Sequence, residues 1–237
     1  MKISYYSDPF DHWVIDDFVP TFLAKQLSED FIDFNHKDWY VYSNPLEQKK
    51  SLNNWWNFPS TTYSFIDYLN SPAFVGWLSL QTGQPKLFTD PGLHGAGWHI
   101  HGRGGKLNVH LDYSIHPKMD LERKFNLIHY LSPDWDPQWG GGLELWSGSH
   151  RQAAMHVKTV DCKFNRAILF DTTQNSWHGF PNKIQCPEGV YRKSIAMYYL
   201  TLPSANADPN RRRAYYVPSS EQADDPEIIN FIEKRSK

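Results

Sequence analysis

The residues with the strongest chemical signature are histidines: 11 in a chain of 237, with nine between His94 and His178. Within that stretch LNVHLD (107–112) alternates apolar Leu107, Val109 and Leu111 with polar Asn108, His110 and Asp112, the pattern of a strand with one greasy and one polar face. His110 and Asp112 then point the same way. At roughly 3.3 Å per residue their Cα atoms lie about 6.6 Å apart, close enough for an imidazole and a carboxylate to converge on one cation. A pair so placed can equally be a barrel-lining hydrogen bond. The third donor is His178, expected in a loop after Asp171, where an antiparallel fold can return it to the first two. Two histidines and a carboxylate on one face of a metal make the facial triad of non-haem Fe(II) oxygenases, with positions left open for substrate.

Arg192 adds a charge to this constellation. It is followed at i+2 and i+4 by Ser194 and Ala196, so the same strand face carries a forked cation with only small neighbours, suited to a bidentate carboxylate. Tyr130 can supply a hydroxyl from a facing strand. A dicarboxylate that chelates iron at one end and meets Arg192 at the other suits such a site.

These residues need a β framework, and the chain supplies one. From Gly95 onward, segments of period near two occur at 107–112, 125–131, 141–146, 166–171 and 190–200, separated by turn clusters such as HGRGG, SPDWDPQWGGG and SGS. They do not alternate with helices, so a mainly β fold is expected, with a jelly-roll (double-stranded β-helix) core over 95–203. Residues 1–94 read as a helical N-terminal flank integral to that domain. A strand-like run precedes an amphipathic helix of about 15 residues from Pro20, and a second helical stretch, Thr62 to Leu80, is broken at Ser71-Pro72. Residues 204–237 read as a charged extension that packs peripherally or frays, with Arg211, Arg212 and Arg213 as solvated surface.

VHLDYS, FNLIHYLSPDWDPQWGGGLELW, RAILFDTTQNSWHGF and YRKSIAMYYL, in this order, resemble the Fe(II)/2-oxoglutarate-dependent oxygenase superfamily, in its prolyl 4-hydroxylase-type branch. The resemblance covers about 95–202. It implies a dioxygenase that hydroxylates an aliphatic C–H, with a prolyl residue, free proline or a proline analogue as substrate, and releases succinate and CO2. The implied cofactors are Fe(II), 2-oxoglutarate and O2, with ascorbate a candidate reductant. By matched position His110, Asp112 and His178 are the implied iron ligands. Arg192 is the implied partner of the distal 2-oxoglutarate carboxylate, assisted by Tyr130 and Ser194. Two departures stand out. The interval from His178 to Arg192 is long and contains Lys183, a competing cation. Where some relatives place a tyrosine this chain has His99-Ile100-His101; these histidines or Asn108 contact the cosubstrate near iron, or else are merely packed. The loop 113–124 and the SPDWDPQWGG turn are expected as substrate lids, and Trp135, Trp146 and Trp177 as walls for a proline ring.

Other readings are weaker. A cupin would place a glutamate shortly after His99-x-His101, but the sequence runs GRGGK. Neither glycine cluster matches the phosphate loop GxxxxGK[ST]. A non-proline small molecule as substrate, or a silent jelly-roll binding module using Trp135, Trp139, Trp146 and Trp177, remains open. The formal charge of -2 argues against a dedicated nucleic-acid binder. The longest apolar run, Ile195 to Leu200, falls far short of the roughly 18 residues a membrane span needs. The start MKISYYSDPFDHW has no apolar core behind a basic residue, so no secretory signal and a cytoplasmic location are expected, with Cys162 and Cys186 as ordinary thiols.

Overall fold

In the computed structural model, which describes residues 1–150 and 152–236, the chain begins with strands Lys2–Tyr6 (β1) and His12–Asp16 (β2) and helix Thr21–Glu29 (α1). A polar hairpin, Tyr40–Asn44 (β3) and Glu47–Leu52 (β4), leads to helices Ser60–Leu69 (α2) and Pro72–Thr82 (α3). Then come Phe88–Thr89 (β5), Gly97–His101 (β6), Lys106–Leu111 (β7), Glu122–Tyr130 (β8) and Leu143–Ser149 (β9). Gln152–Val160 (β10), Ala167–Asp171 (β11), Trp177–Phe180 (β12) and Arg192–Thr201 (β13) complete the core, and the tail adds Tyr215–Tyr216 (β14) and Pro226–Ser236 (α4).

The strands form one curled antiparallel sheet that folds over itself as a jelly roll. One layer runs β1-β2-β11-β8-β13-β6 and the other β7-β12-β9-β10. Strand β4 joins them, because Lys50 to Leu52 pair with β6 while Glu47 and Gln48 pair with β7. Alternation along β13 shows why the layers form. Ile195, Met197 and Tyr199 face outward, where Leu27, Phe65, Ile66, Leu69, Phe74 and Leu78 of the helices cover them. Arg192, Ser194, Ala196 and Tyr198 face inward to a cavity between the layers. Burying one such apolar side chain is worth about 1.5–3 kcal/mol, so a one-residue slip that moved Arg192 under the helices is strongly disfavoured.

The helical flank forms at the expected places, with two differences. Helix α1 spans nine residues rather than about 15. It stops because Asp30 turns its carboxylate to the backbone N–H and hydroxyl of Thr62, at 2.9 and 2.8 Å, and so caps α2, while Phe31 leaves the helix to stack on Trp98 at 4.6 Å. The break at Ser71-Pro72 lies as read: the Ser71 hydroxyl accepts from Phe74 N, and α3 ends at Gly83 with φ 68°. The flank also carries β1 and the β3–β4 hairpin, which a search for apolar alternation passes over because YVYSNPLEQKKSL is mostly polar.

The tail is not peripheral. Tyr215 and Tyr216 pair with Leu111 and His110 of β7, and Tyr216 and Ile232 of α4 are buried against Leu46. Its overall charge masks two short apolar groups, around Tyr216 and along Ile228, Phe231 and Ile232, whose helical spacing gives α4 its packed face. No helix among the described residues is long and apolar enough to cross a membrane.

Candidate active site

His110 lies near the end of β7, with Asp112 just past it. His178, expected in a loop, instead lies on β12 directly across from His110, and the two rings are 4.3 Å apart between centroids. Asp112 completes the group: its Oδ1 is 3.8 Å from His110 Nε2 and its Oδ2 is 3.8 Å from His178 Nε2. One donor atom from each residue lies within 4.8 Å of the others, and among the described residues this is the one His, Cys, Asp or Glu cluster so arranged. The separations are too long for hydrogen bonds and leave room between the donors for an ion.

The protonation states suit an ion as well. Each imidazole uses Nδ1 toward a backbone carbonyl, His110 to Asn108 O at 2.9 Å and His178 to Ser176 O at 2.7 Å. With Nδ1–H donating, Nε2 carries the lone pair and faces inward. Burial pushes His110 down to about 3 and also lowers His178, so both rings are neutral at pH 7. Burial alone would raise Asp112, but the Arg123 charge, with the Asn126 amide, holds it below the usual carboxylate range. Two neutral imidazoles and an ionised carboxylate fit a divalent transition metal.

Arg123 carries no signal in the sequence, since ERKF places it among three consecutive charged residues. It is 2% exposed, its Nη1 is 3.0 Å from Asp112 Oδ1, and its guanidinium lies between the rings of Tyr113 and Tyr198, 3.3 Å from each centroid. Asn126 donates to the other oxygen of Asp112 at 3.2 Å. The carboxylate is thereby fixed in orientation from behind.

Asn108 is turned away from this site. Between His178 and Phe180 the β12–β7 register slips, with His178 opposite His110 but Phe180 opposite Leu107. This irregularity puts Leu107 in the cavity wall in place of its neighbour. The Asn108 amide instead donates to Val217 O at 3.1 Å and Gln222 Oε1 at 2.6 Å, anchoring the tail. Gly179 sits at the slip, where a Cβ would come within 2.8 Å of the carbonyls of both Asn108 and Leu107.

Arg192 is 3% exposed. Its Nε donates to Gly141 O at 2.7 Å and contacts Cys162 Sγ at 3.1 Å, while Tyr130 and Phe180 present rings at 5.1 and 4.7 Å. Among the described residues no carboxylate pairs with it, so a buried cation is left facing the cavity. Ser194 lies beside it, opposite His99 on one neighbouring strand and Tyr130 on the other. The Tyr130 hydroxyl is buried without a hydrogen-bond partner, as are both ring nitrogens of His101. His101 is the cross-strand partner of Arg192, and burial followed by the Arg192 charge holds it neutral. Lys183 is exposed on the opposite side, along a groove with Trp139 and Trp146, and does not enter the site.

The expected tryptophan walls are elsewhere too, and the segments expected as lids are held in place. Trp135 and Trp177 are buried in packing, their indoles donating to Gly140 O and Ser149 O: strand pairing turns Trp177 of β12 away from the cavity, and Trp135 packs within its own turn against Trp139. The loop after Asp112 is tied down, with Tyr113 to His116 buried and Ser114 N bonded to Arg211 O at 2.7 Å. The SPDWDPQWGG turn ends at Gly141, where it holds Arg192 rather than covering a substrate. Tyrosines line the cavity of about 630 Å³ instead: Tyr40 and Tyr42 from β3, Tyr113, Tyr198, and Tyr216, which stacks on His110 at 4.9 Å.

Residues 96–200, which include His110, Asp112, His178 and Arg192, match the family model described as the 2OG-Fe(II) oxygenase superfamily. The chain is 26% identical to mouse prolyl 3-hydroxylase OGFOD1 over 91% of its own length and 38% of that protein. It is 25% identical to the Xenopus laevis protein of the same name over 91% and 40%. It therefore spans about two fifths of the length of these curated relatives. Among solved structures, a Pseudomonas putida prolyl-4-hydroxylase superimposes with a TM-score of 0.53 at 17% identity, covering 80% of this chain and 92% of that one. HygX from Streptomyces hygroscopicus, solved with nickel and 2-oxoglutarate bound, superimposes with a TM-score of 0.55 at 13% identity, covering 88% and 92%. These likenesses establish the fold.

Proposed function

We propose that the protein is a 2-oxoglutarate-dependent oxygenase that holds Fe(II) through His110 Nε2, an Asp112 carboxylate oxygen and His178 Nε2. In this reading it binds 2-oxoglutarate with the distal carboxylate on Arg192 and hydroxylates an aliphatic C–H of a prolyl residue or proline-like substrate, with succinate and CO2 as co-products. The observation that carries the reading is the convergence of three deprotonated donors in the same cavity as a buried arginine with no carboxylate of its own. Iron bound there supplies the redox chemistry that couples O2 to 2-oxoglutarate and to the C–H bond. Ascorbate as an external reductant belongs to the same proposal.

The chain's own residues orient and insulate. Asn108 O and Ser176 O keep the histidine lone pairs inward, and Arg123 with Asn126 holds Asp112 ionised and correctly turned. Arg192 offers a charge-assisted bond to the cosubstrate carboxylate. Ser194 beside it and the unpaired Tyr130 hydroxyl supply further polar groups, and His101, held neutral, lines the approach. The buried Tyr113, Tyr198 and Tyr216 shield the inner end of the cavity. Prolyl hydroxylases recur among the relatives and structural neighbours, which supports a proline ring as the target. A cytoplasmic location is part of the proposal.

The test is spectroscopic first. Anaerobic Fe(II) with 2-oxoglutarate is expected to give the visible charge-transfer band of a chelate, and His110→Ala or His178→Ala to abolish it; a band kept in both variants removes this triad. Proline-containing peptides or free proline are then expected to raise succinate formation above background and to gain one oxygen atom by mass spectrometry. Turnover that responds only to a non-proline metabolite sinks the prolyl part and leaves the oxygenase.

A further inference from the structure

The cavity is unevenly charged, and its inner end is accounted for. Arg123 is matched by Asp112 at 3.0 Å, and Arg192 awaits the cosubstrate. Toward solvent the lining adds Lys49 from β4, Arg235 from α4, and Arg212 and Arg213 from the segment before β14. The outer lining holds one carboxylate, Glu47, which is 1% exposed and already shared by Lys49, at 3.1 Å, and Arg235. Arg212 pairs with Asp120 at 3.1 Å in an exposed contact that water and salt weaken. Arg213 makes no ion pair among the described residues. Iron and doubly ionised 2-oxoglutarate cancel each other, so loading the centre leaves the positive surplus at the mouth unchanged.

The shape of the mouth indicates what kind of anion it takes. Tyr40 and Tyr42, two apart on β3, and Glu47, Lys49 and Ser51, two apart on β4, all line the cavity, so the hairpin presents one continuous face to it. Tyr40 is 65% exposed, and Lys49 Nζ stands 4.7 Å over the Tyr42 ring. The arginines belong to the tail. Two walls with aromatic and cationic groups, around a cavity of about 630 Å³ that 2-oxoglutarate alone does not fill, suit an extended chain whose side groups reach both walls. A nucleic acid is disfavoured because the whole chain carries -2, so the positive potential is a local collar and not a long track.

We infer that the oxygenase takes its substrate as an acidic peptide segment: the reacting residue enters toward His110, Asp112 and His178 while flanking Asp or Glu carboxylates meet Arg212, Arg213 and Lys49. This rests on the proposed centre for the position of the reacting residue. The selection itself is electrostatic and independent of which residue reacts.

Binding of fluorescein-labelled peptides of equal length, read by anisotropy with anaerobic Fe(II) and 2-oxoglutarate present, tests it. The peptides carry a central Pro or Ala flanked by Glu, Gln or Lys. Glu-flanked peptides are expected to bind about tenfold or more tighter than Lys-flanked ones at low salt, with the preference shrinking as ionic strength rises. The double variant R212E/R213E is expected to erase or invert that preference while keeping the charge-transfer band, which shows that the centre and fold are intact. Equal or tighter binding of Lys-flanked peptides, no binding of any peptide, or a single-stranded RNA oligonucleotide that outcompetes the Glu-flanked peptide would overturn the inference. A preference for Glu in both the Pro and the Ala sets upholds it even where proline itself gives no advantage, which separates its fate from that of the prolyl reading.

Discussion

Replacing Arg192 by Met keeps most of the side chain's volume and deletes its charge, and two opposite consequences follow for the ligand-free and ligand-bound protein. Without ligand, Arg192 is a buried guanidinium with no carboxylate partner, and its desolvation costs several kcal/mol. Against this stand the bond to Gly141 O at 2.7 Å, about 1.5–3 kcal/mol for a charged donor, and the Tyr130 and Phe180 rings at 5.1 and 4.7 Å, together about 0.5–2 kcal/mol. These contributions nearly cancel. Ligand-free Arg192→Met is therefore expected within about 2 kcal/mol of the parent in either direction, unlike the 3–5 kcal/mol lost when one partner of a buried ion pair is removed. With 2-oxoglutarate bound the guanidinium gains its counter-charge, and truncation costs about 2–5 kcal/mol, roughly 30- to 4,000-fold in affinity. Thermal unfolding under anaerobic Fe(II) reads both effects. At a 2-oxoglutarate concentration of about 100 Kd the parent gains about 2.7 kcal/mol, a rise of roughly 5–10 °C for a chain of this size; the variant, with affinity lowered at least about 30-fold, is expected to gain no more than about 0.9 kcal/mol, roughly a third of that rise. A full ligand-induced shift in the variant refutes the anchor. A ligand-free loss of 3–5 kcal/mol or more refutes the account of Arg192 as a cation without a partner.

Gly179→Ala places a Cβ 2.8 Å from two backbone carbonyls that cannot rotate away. A loss of about 1–3 kcal/mol in denaturant unfolding and weaker metal binding through the displaced His178 are expected, and an unchanged midpoint with unchanged metal affinity would contradict the close approach. Asp16 accepts from Arg166 Nε at 2.8 Å and Nη2 at 3.2 Å, and that bond chiefly lowers its pKa. A carboxyl with a depressed folded pKa stabilises the fold above its unfolded value, near 3.9, and that stability is lost as pH falls through the folded value. Urea midpoints for Asp16→Asn are accordingly expected to lie below the parent's near neutral pH and to converge with them below pH about 4; curves that stay parallel across this range would exclude a linked Asp16.

The sequence was most informative where one strand's own alternation settles the matter. His110 and Asp112 share a face because side chains on a pleated strand repeat every two residues, and Arg192, Ser194 and Ala196 line the cavity for the same reason. The Ser71-Pro72 break and the two helices around it were equally legible, since a proline stops the helix before it and starts the next. Asn108 obeyed the same alternation on paper and is nevertheless outside, because a register slip against β12 overrides it locally. Arg123 gave no signal: a cation becomes a buried partner only when a particular aspartate and two tyrosine rings are brought around it. The tryptophans misled because composition identifies bulk and not the side of the sheet that bulk packs on.

What the sequence determined by itself is thus the set of local periodicities: which segments are strands or helices, and which side chains on each share a face. These follow from backbone sterics and from the free energy of burying one face, both of which act over a few residues. Only the tertiary structure decided which faces meet. The pairing of His178 with His110, the closure of the cavity by the tail through Tyr216, and the gathering of Lys49, Arg212, Arg213 and Arg235 at one mouth all join residues far apart in the chain. Strand register and layer packing set such contacts, and their free energy is spread over the whole sheet, so no single segment carries the information that specifies them.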